Sequence, residues 1–200
     1  MSQNPSTQIR TIALVGHGAA GKTTLAESLL AAAGAITSRG SVEKGNTVCD
    51  FDPIEKELGH SLQAALVSFN WGGVLVHLID TPGYPDFAGQ SIDALAAVDT
   101  ALVVINAQTG IELSTERMFA LAGERGLCRM IVVNKIDADN VDLPALVADI
   151  RERFGKQCLL LDLPARHGEE LVELLGSLTS IPSTSTLVWL EFVPRMNTEV

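Results

Sequence analysis

Three short stretches of this sequence hold side chains and backbone groups at spacings that suit phosphate and purine chemistry. The first is GHGAAGKTT, residues 16–24, which follows the apolar run TIALV and leads into LAESLLAAA, a good helix former. A strand that ends in Gly16-x-x-x-x-Gly21-Lys22-Thr23 and turns into a helix gathers backbone N–H groups around one point, at the positive end of a helix dipole. A polyphosphate fits there, wrapped by Gly16, His17, Gly18, Ala19, Ala20, Gly21 and Thr24. Lys22 can reach its terminal phosphates as a compact charge, and the Thr23 hydroxyl can join the shell of a magnesium ion. A glycine-rich turn alone would be a plain linker; the β-branched run before it and the Ala/Leu-rich run after it make it a phosphate loop.

The second stretch, DTPGYPDF at 80–87, follows the apolar run VLVHLI. An aspartate at the carboxyl end of a parallel strand lies in the crevice where such sheets bind ligands. Asp80 is therefore expected to hold magnesium through water, with Thr81 and Pro82 leading to Gly83, whose N–H would face the terminal phosphate. Taken alone, TPG is a turn; the upstream loop gives it chemistry. The third stretch is NKID, residues 134–137, directly after MIVV. The Asp137 carboxylate can accept from both N1–H and the exocyclic amine of guanine, a donor pair that adenine lacks. Asn134, Lys135 and Ile136 would support the base and the loop, with the Lys135 stem over the ring.

These stretches need a scaffold, and the rest of the chain supplies its pattern. Apolar runs alternate with helix-patterned runs, which predicts an α/β fold with a mostly parallel sheet and helices on both faces. Strands are expected near 10–15, 64–69, 74–79, 100–105, 129–133 and 158–163, and helices near 22–33, 89–97, 113–125, 143–154 and 168–176. ALVSFN and VLVHLI flank WGG, a link short enough for a hairpin, so one strand should be antiparallel. Residues 35–60 show no clear periodicity, and so long an unpatterned loop is usually functional. The final apolar run, TLVWLEF, has no register that the sequence determines.

The 200 residues carry a formal net charge of −10, which excludes a broad basic nucleic-acid surface. Cys49, Cys128 and Cys158 have no metal-ligand spacing and fit reduced thiols, the last two in apolar runs that read as core. MSQNPSTQ is polar and no apolar run has membrane-spanning length, so the expectation is a soluble, cytoplasmic protein with no membrane partner. Oligomeric state has no signal in the sequence.

With the three motifs in this order, the sequence resembles the GTP-binding domain of translational GTPases, a P-loop NTPase fold, and within them elongation factor G and its divergent elongation-factor-G-like branch. GNTVCDFDPIEKELGHSL at 45–62 resembles that family's first switch region, and the segment from Gly89 resembles the one after its second switch. The resemblance spans about residues 9–165 and implies GTP or GDP and Mg2+ as ligands, hydrolysis to GDP and phosphate, and the ribosome as partner. Catalysis would rest on Lys22, Gly83 and residue 84. In the family the residue after the DxxG motif is a histidine that positions the attacking water; here it is Tyr84, a phenol that does not titrate as imidazole does. The family's magnesium-contacting switch threonine corresponds to Ser61, which offers the same ligand atom. Ala19 stands where an aspartate is common, so one acidic ligand for a monovalent cation is missing.

The chain is expected to divide into a flexible tail at 1–8, the GTP-binding domain at 9–165, and a helix with a C-terminal extension at 166–200 that is incomplete relative to the family. LPARHGEELVELL could supply the fifth guanine-contacting loop through the Ala165 N–H, or could open the insertion found in elongation factor G; the latter is the preferred reading. Two readings of function remain beside GTP hydrolysis: a GTP/GDP-binding switch module with little turnover, and a truncated product without a role of its own.

Overall fold

The computed structural model describes residues 8–160 and, as backbone, three further strands at 162–165, 170–173 and 186–190. Its elements in chain order are β1 Ile9–Val15, α1 Lys22–Ala32, α2 Pro53–Leu58, β2 Ala65–Trp71, β3 Val74–Asp80, α3 Ala88–Ala96, β4 Thr100–Asn106, α4 Leu113–Glu124, β5 Cys128–Asn134, α5 Leu143–Phe154, β6 Cys158–Leu160, β7 Asp162–Ala165, β8 Glu170–Glu173 and β9 Thr186–Leu190. One seven-stranded sheet runs in the order β2-β3-β1-β4-β5-β9-β6. Within it only β2 is antiparallel to its neighbour; the other pairings are parallel. This is the mostly parallel α/β arrangement, with one antiparallel strand, that the alternating pattern and the WGG link predict.

The strands are apolar on both faces because both faces are covered. Along β4, Ala101, Val103 and Ile105 pack with Phe119, Ile150 and Phe154 of α4 and α5, while Leu102 and Val104 pack with Leu25, Ala26 and Leu30 of α1. β1 divides the same way, with Ala13 and Val15 on the first side and Leu14 on the second. Each such leucine removed from water contributes about 1.5–3 kcal/mol. A second source of order is the WGG link: Gly72 and Gly73 sit at φ 56° and 83°, the left-handed pair that a two-residue hairpin turn requires. Across that hairpin Ser68 faces His77, their Oγ and Nδ1 atoms 2.7 Å apart, so this histidine is a cross-strand partner.

Four expectations are corrected. The 35–60 stretch is not without structure: α2 forms within it, started by a reciprocal cap in which Asp52 accepts from the Ile54 N–H and Glu55 accepts from the Asp52 N–H. The strand expected at 158–163 is divided, β6 ending in the main sheet and β7 pairing antiparallel with β8. Glu170–Glu173, expected within a helix, is extended as that partner, so pairing overrides the helical propensity of EELVELL. Cys128 is exposed because it opens β5 at the rim of the sheet, whereas Cys49 and Cys158 are buried. The final apolar run forms β9, which enters the sheet between β5 and β6.

Registers set the geometry of one edge. Leu14 pairs with Asp80, Val15 with Val103, and Asn106 with Asn134, so β1, β3, β4 and β5 end at the same edge of the sheet, β4 and β5 running three residues beyond β1. The loops after them, which contain all three motifs, emerge side by side. Among the described residues no helix is long and apolar enough to cross a membrane.

Candidate functional site

The loop after β1 is bent into its path by two glycines. Gly16 has φ 138°, and a Cβ there would strike the Val104 carbonyl; Gly21 has φ 92°, and a Cβ there would strike the Asn134 amide. Gly21 also starts α1, which has no side-chain cap and no acidic residue in its first turn. Its leading N–H groups are thus left to a ligand, and an anion is the ligand they favour.

These groups open on a cleft of about 280 Å³ lined by Gly18, Ala19, Gly21, Lys22, Thr23 and Thr24 from the first motif, Thr81, Gly83 and Tyr84 from the second, Lys135 from the third, and Gly59, His60 and Ser61 from the switch-like segment. The first and third motifs are tied directly. Asn134 donates to the Ala20 carbonyl at 3.0 Å and accepts from the Lys135 N–H at 2.8 Å, and Lys135 Nζ donates to the Ala19 carbonyl at 2.9 Å. The second motif packs so closely that a Cβ on Gly83 would lie 2.5 Å from the His17 carbonyl oxygen and 2.6 Å from the Gly18 nitrogen. Only glycine fits there.

Lys22 is buried and donates to the Gly16 and His17 carbonyls at 3.1 and 2.7 Å. Burial pulls its pKa down to about 8, against the opposing pull of Asp80 and Glu112. Asp80 is buried as well; burial pushes its carboxyl up to about 6, although the Thr23 hydroxyl and the charge of Lys22 hold it down in part. Asp80 Oδ2 accepts from Thr23 at 2.7 Å, whereas Oδ1 is buried without a hydrogen-bond partner among the described residues. The Thr23 and Ser61 hydroxyl oxygens lie 3.3 Å apart, and Ser61 donates to Asp50 at 2.7 Å. A buried acceptor left open beside two hydroxyls and two carboxylates is a donor set for a hard cation.

The raised pKa of Asp80 has a consequence for the ligand-free domain. Between about 4 and 6 the folded state holds a proton that the unfolded state has released, so Asp80 lowers stability as pH rises through that window and exerts its full effect above it. Asp80→Asn is expected to stabilise the ligand-free domain at pH 7.5 by on the order of 1–3 kcal/mol, an advantage that fades as pH falls towards about 4. Thermal melts of both forms across pH check this; an equal gain at every pH contradicts it.

Not every motif residue turns its side chain to the cleft. His17 is fully buried, its Nδ1 2.9 Å from Thr115 Oγ1 and its Nε2 3.3 Å from Thr109 Oγ1 and 3.5 Å from a Glu112 oxygen, so only its backbone serves the loop. Burial lowers its pKa, opposed by Glu112. Ile136 is core, Gly16 and Ala20 contribute carbonyls, Thr81 donates to the Leu14 carbonyl, and the Pro82 carbonyl accepts from Ser91. Asp137 is half-buried in the turn after β5 and is not among the residues that line the cleft. Ala165 ends β7 in the small second sheet.

Two residues that spacing did not single out organise the cleft wall. Glu27 of α1, fully buried, accepts from the Gly40 and Val48 N–H groups at 2.8 and 2.5 Å. Glu55, also buried, accepts from the Leu62 and Gln63 N–H groups at 2.8 and 3.0 Å. Together they fasten the segment bearing Ser61. The Asp52–Glu55 spacing was a usable cap signal; a mid-helix Glu27 gave none.

Comparison with known proteins agrees with this geometry. The family model described as Elongation factor Tu GTP binding domain matches residues 7–189. Elongation factor G 2 of Streptomyces coelicolor is 39% identical over 189 residues, covering 94% of this chain and 27% of that protein. Elongation factor G-like protein of Mycobacterium tuberculosis is 38% identical over 84% of this chain and 23% of its own length. A crystal structure from Thermus thermophilus superposes with a TM-score of 0.80 at 40% identity, covering 86% of this chain and 26% of that one. The chain thus spans about a quarter of the length of the relatives it matches. Matched over nearly its whole described length, and with its phosphate loop, DTPG and NKID motifs gathered at one sheet edge, the chain belongs to the translational GTPases as a GTP-binding domain of the elongation-factor-G-like kind.

Proposed function

We propose that this domain binds GTP and GDP with Mg2+, hydrolyses GTP to GDP and phosphate, and works on the ribosome. The observation that carries the reading is the meeting of three strand-end motifs on one cleft, whose floor is an uncapped helix start and a buried lysine. Gly18–Thr24 would cradle the phosphates by backbone N–H groups, Lys22 would exchange its two carbonyl partners for phosphate oxygens, and Gly83 would present its N–H to the terminal group. Asn134, Lys135 and Asp137 would hold the base. Thr23, Ser61 and Asp80 would hold the magnesium ion, and the unpartnered Asp80 oxygen supports that fit. The ion, when bound, would neutralise charge on the phosphates. Ribosome association rests on what the elongation-factor relatives are named for.

A second reading, a guanine-nucleotide switch with little turnover, is favoured by Tyr84 at the place of the family's histidine. Binding of a fluorescent GDP analogue with and without Mg2+, followed by single-turnover release of phosphate from GTP with and without ribosomes, separates them. Magnesium-dependent binding with measurable phosphate release supports the first reading. Binding without release supports the second, and no guanine-nucleotide binding overturns both.

A further inference from the structure

Residue 84 is not the sole side chain placed over the front of the phosphate loop. Tyr84 lies with its ring across Gly18, whose Cβ, if it had one, would be 3.2 Å from the phenol carbons. Against that ring stands His60, with centroids 4.6 Å apart and planes tilted by 51°. His60, Tyr84, Gly83, Lys22 and Ser61 all line the same cleft. Phe87 backs the imidazole at a centroid distance of 6.5 Å. The nearest polar contact of the ring is long: Nδ1 lies 3.5 Å from the Ser61 carbonyl oxygen, and among the described residues no shorter hydrogen bond occupies it. The imidazole is thus half-buried, packed on aromatic faces, and retains hydrogen-bonding capacity in the cleft that Gly83 also lines.

We infer that His60, reaching in from the segment before β2, is the residue that holds the attacking water for GTP hydrolysis, with Tyr84 as the surface that positions it. This rests on the GTPase reading above. The water donates a hydrogen bond to the imidazole and is thereby aimed at the terminal phosphorus. Its oxygen forms the new P–O bond as the bond from phosphorus to the β,γ-bridging oxygen breaks. That electron pair leaves with GDP, and both protons of the water end on the inorganic phosphate. Where the family pattern has its histidine after the DxxG motif, here the imidazole comes from the switch-like segment, and the aromatic support comes from the residue after Gly83. Segment 59–61 is short of regular structure and is held by the Glu55 carbonyl, which accepts from the Gly59 and His60 N–H groups, and by Asp50, which accepts from Ser61, giving the imidazole a fixed approach.

The test compares the parent with His60→Ala, His60→Gln and Tyr84→Ala in single-turnover GTP hydrolysis, with binding of a fluorescent GDP analogue and thermal melting measured on each. His60→Ala is expected to slow hydrolysis by about 10- to 100-fold with nucleotide affinity and melting temperature little changed. His60→Gln, which keeps an acceptor in reach, should recover most of the rate, and Tyr84→Ala, which removes the ring that positions the imidazole, should slow hydrolysis as His60→Ala does. A role confined to packing would not separate Gln from Ala. Equal hydrolysis in the parent and His60→Ala overturns the inference, as does a parent that binds GTP without hydrolysing it. A parent that binds no guanine nucleotide instead overturns the GTPase reading itself.

Discussion

Lys22→Ala is expected to weaken GTP binding by at least about 100-fold, because it removes the one buried charge aimed at phosphate from a site otherwise built of backbone N–H groups. The fold should survive. Without nucleotide, Lys22 is a buried cation whose Nζ is held by two carbonyls, and its depressed pKa shows that the ligand-free domain bears a cost for its charge. Alanine removes that cost, so the melting temperature without ligand should not fall. The same shift predicts a pH signature. Below about 8 the lysine is already charged, whereas above it binding must take up a proton; parental affinity should therefore decline as pH rises beyond about 8. The variant should lack that decline. Calorimetric titration at several pH values checks both parts, and an undiminished affinity in Lys22→Ala removes the lysine from the phosphate site.

Asp137→Asn should produce a comparably large change, in preference rather than in strength. The turn that bears it is anchored just before Asp137 by Asn134 on Ala20 and Lys135 on Ala19, and neither bond is made by the residue substituted. Guanine then loses its carboxylate acceptor, at about 1–3 kcal/mol for a buried donor left unpaired. Xanthine presents a carbonyl where guanine has the amine, and the new amide can donate to it. The ratio of guanine to xanthine affinity combines the loss and the gain, so it should move by roughly two to four orders of magnitude. Competition among GTP, XTP and ATP against a fluorescent GDP analogue measures it. Retention of the full guanine preference contradicts the assignment of Asp137 to the base.

The parts of this fold that could be read from the sequence are those in which local pattern and tertiary role coincide. β1, β4 and β5 are apolar runs closed by glycine or polar residues, and each is buried on both faces, so pattern and burial agree. The WGG hairpin was legible for the same reason: two adjacent glycines can take the left-handed turn without strain. α2 was missed because six residues are too few to display a helical period, although its cap was written in Asp52 and Glu55. β8 was missed because its residues favour helix and the pairing that overrides this comes from β7. The motif spacing pointed to Lys22, Thr23, Asp80 and Gly83, which the structure brings together, but it could not orient side chains. His17 sits within the phosphate loop yet turns into the interior toward Thr115, a contact across nearly a hundred positions that no spacing rule encodes. Glu27 was hidden likewise, since it acts on segments distant in the sequence.

The place of β9 bears on how the chain reaches this state. The most C-terminal described strand occupies an interior position, bonded to β5 on one side and β6 on the other. β6 has no pairing with β5, so it can dock only once β9 has been inserted. During synthesis β5 therefore presents an open edge from the time it emerges until residues 186–190 follow, an interval in which another extended chain could pair there in error. The phosphate loop is surrounded by β1, β3, β4 and α1 and tied to the end of β5 by Asn134 and Lys135, all of which precede β9 in the chain, so it can close earlier. Acquisition of nucleotide during folding is thus expected to precede completion of the sheet, with the slow step set by the long-separation β5–β9 pairing.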